Sequence, residues 1–164
     1  MACMKGKMPA VCQNFLEDGC GMKTVKDILD QKGREVFTIE GSATVLDAIR
    51  LLADKGIGAL VVVRHGDPVG LFSERDYTCK VILTGRRSEN TPVGDIMTRE
   101  LVAVGPDTPV DECMALMTEK RIRHLPVLDG GKLVGLVSIG DIVKDIISEQ
   151  QVVIEQLERY VYYS

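Results

Sequence analysis

Hydrophobic residues in this chain follow two alternating periods, and the whole alternation occurs twice. Val45, Ala48, Ile49 and Leu52 stand at i, i+3, i+4 and i+7, as do Val110, Cys113, Met114 and Met117, which predicts two amphipathic helices. Ser42 is expected to cap the first, and Thr108 or Asp107 the second. After each helix comes an apolar run (59–63 or 124–128), then a polar turn, Arg64-His-Gly-Asp or Asp129-Gly-Gly-Lys. A second apolar run follows (69–72 or 133–137), so each stretch reads as a hairpin. Short strands at 36–39 and 101–104 precede the helices, and short helices at about 25–30 and 93–98 precede those strands. A last helix opens at Ser73 in one stretch and at Ser138 in the other.

Shifted by 65 positions, residues 36–76 lie on residues 101–141 without a gap. Identities include Val45/Val110, Leu51/Leu116, Ile57/Ile122, Leu60/Leu125, Val62/Val127, Gly70/Gly135, Ser73/Ser138 and Asp76/Asp141. Upstream, Val25-Lys-Asp-Ile-Leu answers Val93-Gly-Asp-Ile-Met, so the chain is an internal duplication. Each copy reads β-α-β-β-α, an α+β unit whose sheet is covered by helices on one face. A single copy would leave the other sheet face in water. Two copies packed through their sheets, with pseudo-twofold symmetry, bury both. The expected organisation is a polar leader at 1–22, the first copy at 23–84, a linker at 85–91, the second copy at 92–148 and a helical extension at 149–164.

Composition narrows the function classes. Twenty Lys and Arg against 24 Asp and Glu give a formal charge of −4, and 4% aromatics with no Trp leave an aliphatic core. A basic nucleic-acid binder and an aromatic platform for single strands are both disfavoured. No apolar run approaches the roughly 18 residues of a membrane span, and the leader lacks the apolar centre of a secretory signal. Neither nucleic acid nor membrane is expected as a partner, and a cytoplasmic location is. Cys3, Cys12 and Cys20 match no metal or redox spacing. Met22-Lys-Thr-Val-Lys-Asp-Ile-Leu reads like a natural start, which would make residues 1–21 a non-native leader.

The candidate chemistry sits where each hairpin meets the final helix, at Gly70-Leu-Phe-Ser73-Glu-Arg-Asp76 and Gly135-Leu-Val-Ser138-Ile-Gly-Asp141. The Ser stands at an N-cap position beside free backbone amides, which together suit an anion. One turn later the Asp offers two acceptor oxygens, which suit the vicinal hydroxyls of a ribose. The plainer alternative is that Ser-x-x-Asp is only a capping box. Its recurrence at matched positions favours a ligand.

The stretch Ile122-Arg-His-Leu-Pro-Val-Leu-Asp followed by Gly135-Leu-Val-Ser-Ile-Gly-Asp141 resembles the cystathionine-β-synthase (CBS) domain. So does Gly56-Ile-Gly-Ala-Leu-Val-Val-Val followed by Gly70-Leu-Phe-Ser-Glu-Arg-Asp76. The resemblance covers about residues 23–148 and is to a stand-alone bacterial tandem pair, a Bateman module. It implies two clefts between the copies that hold adenine nucleotides. One would use Ser73, Arg75 and Asp76, with Val102, Arg123, His124 and Pro126 crossing from the second copy. The other would use Leu136, Ser138 and Asp141, with Phe37, Ile57, Gly58 and Ala59 crossing from the first. AMP is the first choice of ligand, with NAD(H), ADP/ATP or S-adenosylmethionine behind it. Gly140, and Gly58 and Ala59 opposite Arg123 and His124, imply a poorer supply of cations at the second cleft. A helical extension with Ile146, Val153, Leu157 and Tyr160 at spacings of seven, four and three fits either a fold-back or a subunit interface. The resemblance favours a homodimer through the CBS faces and this helix, acting on an unidentified regulated protein.

The remaining glycine and histidine signals have plainer explanations. Gly56-x-Gly58 lies after a helix and before a strand, the reverse of a dinucleotide-binding turn. His65 reads as a solvated turn residue, and His124 is divided between phosphate contact and packing. No nucleophile–base pair, carboxylate dyad or metal cluster is evident, so no catalysis is expected. Asp76→Ala and Asp141→Ala are each expected to abolish one site with little effect on the unliganded melting temperature. The rival class is a ligand-free dimerisation domain.

Overall fold

The structure, a computed structural model, describes residues 22–162. The expectations for Cys3, Cys12, Cys20 and the rest of the leader lie outside the described residues.

The first copy folds as β1 (Thr38–Glu40), α2 (Val45–Lys55), β2 (Ala59–Arg64), β3 (Asp67–Ser73) and α3 (Glu74–Tyr77), preceded by α1 (Val25–Lys32). A π-turn over Thr78–Ile82 continues α3. The second copy has α4 (Val93–Ile96), α5 (Val110–Lys120), β4 (His124–Asp129), β5 (Lys132–Ser138) and α6 (Ile139–Tyr162). β1 runs parallel to β2, and β2 pairs with β3 as an antiparallel hairpin. β4 and β5 repeat that hairpin, with His124 opposite Ser138 as Ala59 is opposite Ser73.

The strand expected at 101–104 shrinks to one parallel bridge between Val104 and Val127. In the first copy, Gly41 N–H extends the ladder by donating to Val63 O at 3.1 Å. Pro106 occupies the equivalent position and has no N–H to donate, and Pro126 stands where Val61 N donates to Phe37 O at 3.2 Å, so the second ladder stops on both sides of Val104. The expected caps also move. Thr44, not Ser42, accepts from Asp47 N at 3.2 Å, and Pro109 rather than Thr108 or Asp107 precedes α5. Thr108 Oγ1 instead accepts from Gly105 N at 3.1 Å.

Two aliphatic cores result. Val45, Ala48 and Leu52 of α2 pack with Leu60, Val62 and Phe72. Val110, Cys113 and Met117 of α5 pack with Leu125, Val127, Val137 and Ile142. The α2 and α5 stripes are those of the sequence pattern, except that Met114 turns 38% toward solvent. Strand alternation puts Ala59 and Val61 on the sheet face away from these helices, where they are as buried as Leu60 and Val62. Both faces of β2 are therefore covered, as sheets packed against each other require.

The leading helices are exchanged. Val25, Ile28 and Leu29 of α1, which precedes the first copy, lie in the second copy's core. Val93, Ile96 and Met97, which precede the second copy, lie in the first copy's core. The first N–H groups of a helix have no intrahelical partner. Here the opposite loop satisfies them, in matched pairs. Val25 N donates to Thr108 O (2.9 Å) and Lys26 N to Pro106 O (2.8 Å), while Val93 N donates to Ala43 O (2.9 Å) and Gly94 N to Gly41 O (2.8 Å). Where these segments cross the hairpins there is no room for a side chain. A Cβ on Gly70 would lie 2.8 Å from Thr98 O, and one on Gly135 would lie 2.6 Å from Leu29 Cδ1. The segment read as a linker also takes part, since Leu46 N donates to Ser88 O at 3.0 Å and Val45 N to Thr91 O at 2.9 Å.

Candidate ligand-binding site

Ser73 and Ser138 each end a hairpin strand and begin a helix, and each is locked to the Asp one turn on. In the first copy Asp76 Oδ2 accepts from Ser73 N (3.0 Å) and Ser73 Oγ (2.9 Å). In the second, Asp141 Oδ2 accepts from Ser138 N (2.8 Å) and Ser138 Oγ (2.9 Å). The two junctions are tied to their sheets identically, with Glu74 N donating to Gly58 O (3.3 Å) and Ile139 N to Arg123 O (2.9 Å). The capping box is therefore formed twice. Removing either carboxylate would remove a cap, generally about 1 kcal/mol. A loss of that size is larger than the little effect on the unliganded melting temperature expected for Asp→Ala.

Beyond the box the sites differ. Asp76 is 8% exposed, and its Oδ1 receives Lys80 Nζ at 2.6 Å and Thr98 Oγ1 at 3.0 Å. The Lys80 ammonium also donates to Ile96 O at 3.0 Å. Both Asp76 oxygens are engaged. The Asp141 side chain is 25% exposed, and its third contact, Lys32 Nζ at 2.6 Å, falls again on Oδ2. Burial pushes the Asp141 carboxyl up, but the Lys32 ammonium and the Ser138 amide and hydroxyl outweigh it and hold it below the usual carboxylate range. A half-exposed carboxylate with one oxygen turned away from its partners suits a vicinal diol better than a fully engaged one.

The remaining residues separate by place. Gly58 and His124 meet where the copies face each other, with a Cβ on Gly58 coming 3.5 Å from His124 Nε2. Burial lowers the His124 pKa, and the Asp141 carboxylate is the largest influence opposing it. Ala59 and Pro126 are buried in the sheets, and Leu136, paired with Pro126, is half-buried. Val102 packs on the second core, and Phe37 and Ile57 on the first. Lys55 Nζ lies 5.0 Å over the Phe37 ring. Arg75 and Arg123 are exposed.

Lys32, Lys80 and Thr98 were not anticipated. Lys80 is legible as an i, i+4 partner of Asp76. Lys32 and Thr98 reach their sites only because the leading segments are exchanged, which no local pattern reveals. Lys32 supplies a cation to the second site as Lys80 does to the first. Two surface cavities, of about 350 Å³ beside Arg64 and about 170 Å³ beside Lys23, contain none of the four Ser and Asp residues. The Ser–Asp sites are the primary candidate because the same chemistry is built twice, with Lys80 and Thr98 on one carboxylate and Lys32 on the other.

A doubled strand–Ser-x-x-Asp–helix junction between two facing hairpin sheets is the CBS arrangement, and the CBS-domain profile matches residues 25–79 and 93–148. The chain belongs to the CBS-domain family. Similar to it is the CBS domain-containing protein CBSX3, mitochondrial, of Arabidopsis thaliana, 40% identical over 157 residues, covering 88% of this chain and 75% of the relative. Among solved structures, a putative signal-transduction protein with CBS domains from Burkholderia ambifaria is 54% identical with a TM-score of 0.76, covering 78% of this chain and 96% of its own. The CBS-domain pair of protein MJ0100, solved in complex with 5′-methylthioadenosine and S-adenosyl-L-methionine, is 27% identical with a TM-score of 0.71, covering 79% of this chain and 99% of its own. CBS pairs are generally regulatory ligand-binding modules rather than catalysts. Among the described residues, no helix is long and apolar enough to cross a membrane.

Proposed function

We propose that this CBS pair is a non-catalytic sensor that binds an adenine nucleotide between its two copies, AMP first and NAD(H), ADP/ATP or S-adenosylmethionine next. The observation that carries this reading is the Asp141 site, a half-exposed carboxylate beside Ser138, with a lysine on it and the Gly58–His124 contact nearby. In this reading the ribose hydroxyls donate to Asp141, and Lys32 turns from the carboxylate to the phosphate. Of Ala59, Pro126 and Leu136, the half-buried Leu136 offers the apolar surface for the base. The Asp76 site fills second, because its ligand must displace both Lys80 and Thr98. The adenosine ligands of the MJ0100 pair support the ligand class without selecting among its members.

A thermal-shift series with each nucleotide tests the proposal. A ligand at 100 times its Kd stabilises by about 2.7 kcal/mol. Asp141→Asn, which keeps a capping oxygen, should remove the first-filled site and spare the second. Absence of a shift with every adenosine compound would support the rival, a ligand-free dimerisation domain.

A homodimer through the CBS faces and α6 completes the proposal, with a cytoplasmic location and an unidentified protein as the listener. Ile147, Val153, Ile154 and Leu157 on the outer half of α6 are each 45% to 60% exposed along one side. Sedimentation of the full chain against Leu157→Lys separates a dimer from a monomer.

A further inference from the structure

The larger cavity, about 350 Å³, lies at the opposite end of β3 from Ser73, roughly 20 Å along the strand. Arg64 and His65 of the β2–β3 turn line it, with Ser42 from the loop after β1 and Arg99 from beyond α4. Arg99 is steered there by donating from Nη2 to Gly94 O at 3.1 Å. The side chains of Arg64 and His65 make no hydrogen bond or ion pair with any described residue, although Arg64 pairs with Asp67 in the hairpin ladder. Glu40 and Asp95 share the wall without pairing to either guanidinium.

The duplication provides an internal comparison. At the positions of Arg64, His65 and Ser42 the second copy carries Asp129, Gly130 and Asp107. The fold therefore does not need the cations, because its hairpin closes equally well without them. His65 and Gly130 have the same turn backbone, with φ of 53° and 54°, a left-handed conformation that favours glycine. The first copy thus holds an imidazole in a left-handed position beside a guanidinium, both without a hydrogen-bond or ion-pair partner among the described residues, at the wall of a cavity. A left-handed non-glycine residue at the wall of a cavity motivates a functional reading of that cavity.

We propose that this corner is a second binding site, separate from the Ser–Asp clefts, for a small phosphate ester that carries hydroxyl groups. Arg64, Arg99 and the His65 N–H take the phosphate, Ser42 donates to it, and Glu40 and Asp95 accept from the hydroxyls. The cavity is at the small end of ligand sites, the size of a sugar phosphate rather than a dinucleotide.

The test is an amide NMR titration of the full chain with glucose 6-phosphate, inorganic phosphate and glucose as separate probes. Glucose 6-phosphate should shift amides at 41–42, 64–66 and 94–99, with glucose alone shifting none and inorganic phosphate binding more weakly. Arg64→Glu and Arg99→Glu should each weaken binding at least tenfold, and Arg64→Gln by less. The Arg64 side chain has no hydrogen-bond or ion-pair partner to lose among the described residues, so its variants should fold even if Arg99→Glu does not. Arg86→Glu, a linker residue changed by the same charge, and Asp141→Asn should bind normally. No shift of these amides at about 10 mM probe overturns the proposal, as does an equal loss in Arg86→Glu. Loss in Asp141→Asn with Arg64→Glu spared also overturns it, and would assign the phosphate to the cleft instead.

Discussion

Gly135→Ala tests the exchange of the leading helices directly. The new methyl would sit 2.6 Å from Leu29 Cδ1 and 2.7 Å from Leu29 Cδ2, distances that Cβ atoms do not tolerate. Leu29 is 1% exposed within the second core, so it cannot swing into solvent without pulling α1 away. Overpacking of this kind costs about 1–3 kcal/mol, or about 2–12 °C in melting temperature for a chain of this size. Leu29→Ala alone leaves a cavity and costs about 2–5 kcal/mol. In the double variant the methyl at 135 enters the space that Leu29 vacated. The pair should then be about 1–3 kcal/mol more stable than the sum of the single effects predicts. Urea unfolding followed by far-UV circular dichroism, at one protein concentration, measures all three. Gly105→Ala is the control, since its Cβ would have no neighbour nearer than 3.8 Å, and it should change stability by no more than about 1 kcal/mol. Additivity of the two substitutions within about 0.5 kcal/mol would refute the packing of α1 on the second hairpin.

Two further outcomes follow from single positions. Arg121 ends α5 with φ 53° and ψ 42°, where the first copy ends α2 with Gly56 at φ 63° and ψ 38°. Arg121→Gly should therefore stabilise by about 1 kcal/mol and Gly56→Ala should cost a similar amount, read as opposite shifts in melting temperature. Burial lowers the His124 pKa from 6.5, so the folded state favours the neutral ring, and stability is complete above pH 6.5 and falls as pH drops through the lowered value. Asp141, held below 3.8 chiefly by Lys32 against the burial that raises it, adds a second loss at still lower pH. His124→Gln should flatten the unfolding free energy just below pH 6.5 and leave the Asp141 limb intact. An unchanged slope there would refute the assignment.

What the sequence disclosed was what is local. The 3.6-residue stripes of α2 and α5, both hairpins and the duplication are written in neighbouring residues, and they carry the α+β architecture. Ser73, Asp76, Ser138 and Asp141 were legible because a cap and its partner lie three residues apart. The choice of Thr44 over Ser42 as a cap was not, since both are capping residues and the tertiary hydrogen bond from Val45 N to Thr91 O fixes where α2 begins. Loss of the strand at 101–104 had a visible cause in Pro106 and Pro126, once their positions are set against Gly41 and Val61. Lys32 at Asp141 spans 109 positions and follows only from the exchange, which rests on long-range packing of short helices.

The exchanged helices also bear on how the chain is made. α1 is the first described element to leave the ribosome, yet the residues that bury it, Val137 and Ile142 among them, come more than a hundred positions later. At about 5–20 residues per second, Val25, Ile28 and Leu29 wait some 6–20 s without their core. The first sheet waits only for Val93, Ile96 and Met97, so it can close while the second copy is still being synthesised. Synthesis thus builds the two halves in unequal order, and α1 stays an exposed apolar surface, open to chaperones or to a neighbouring nascent chain, until the last helix emerges.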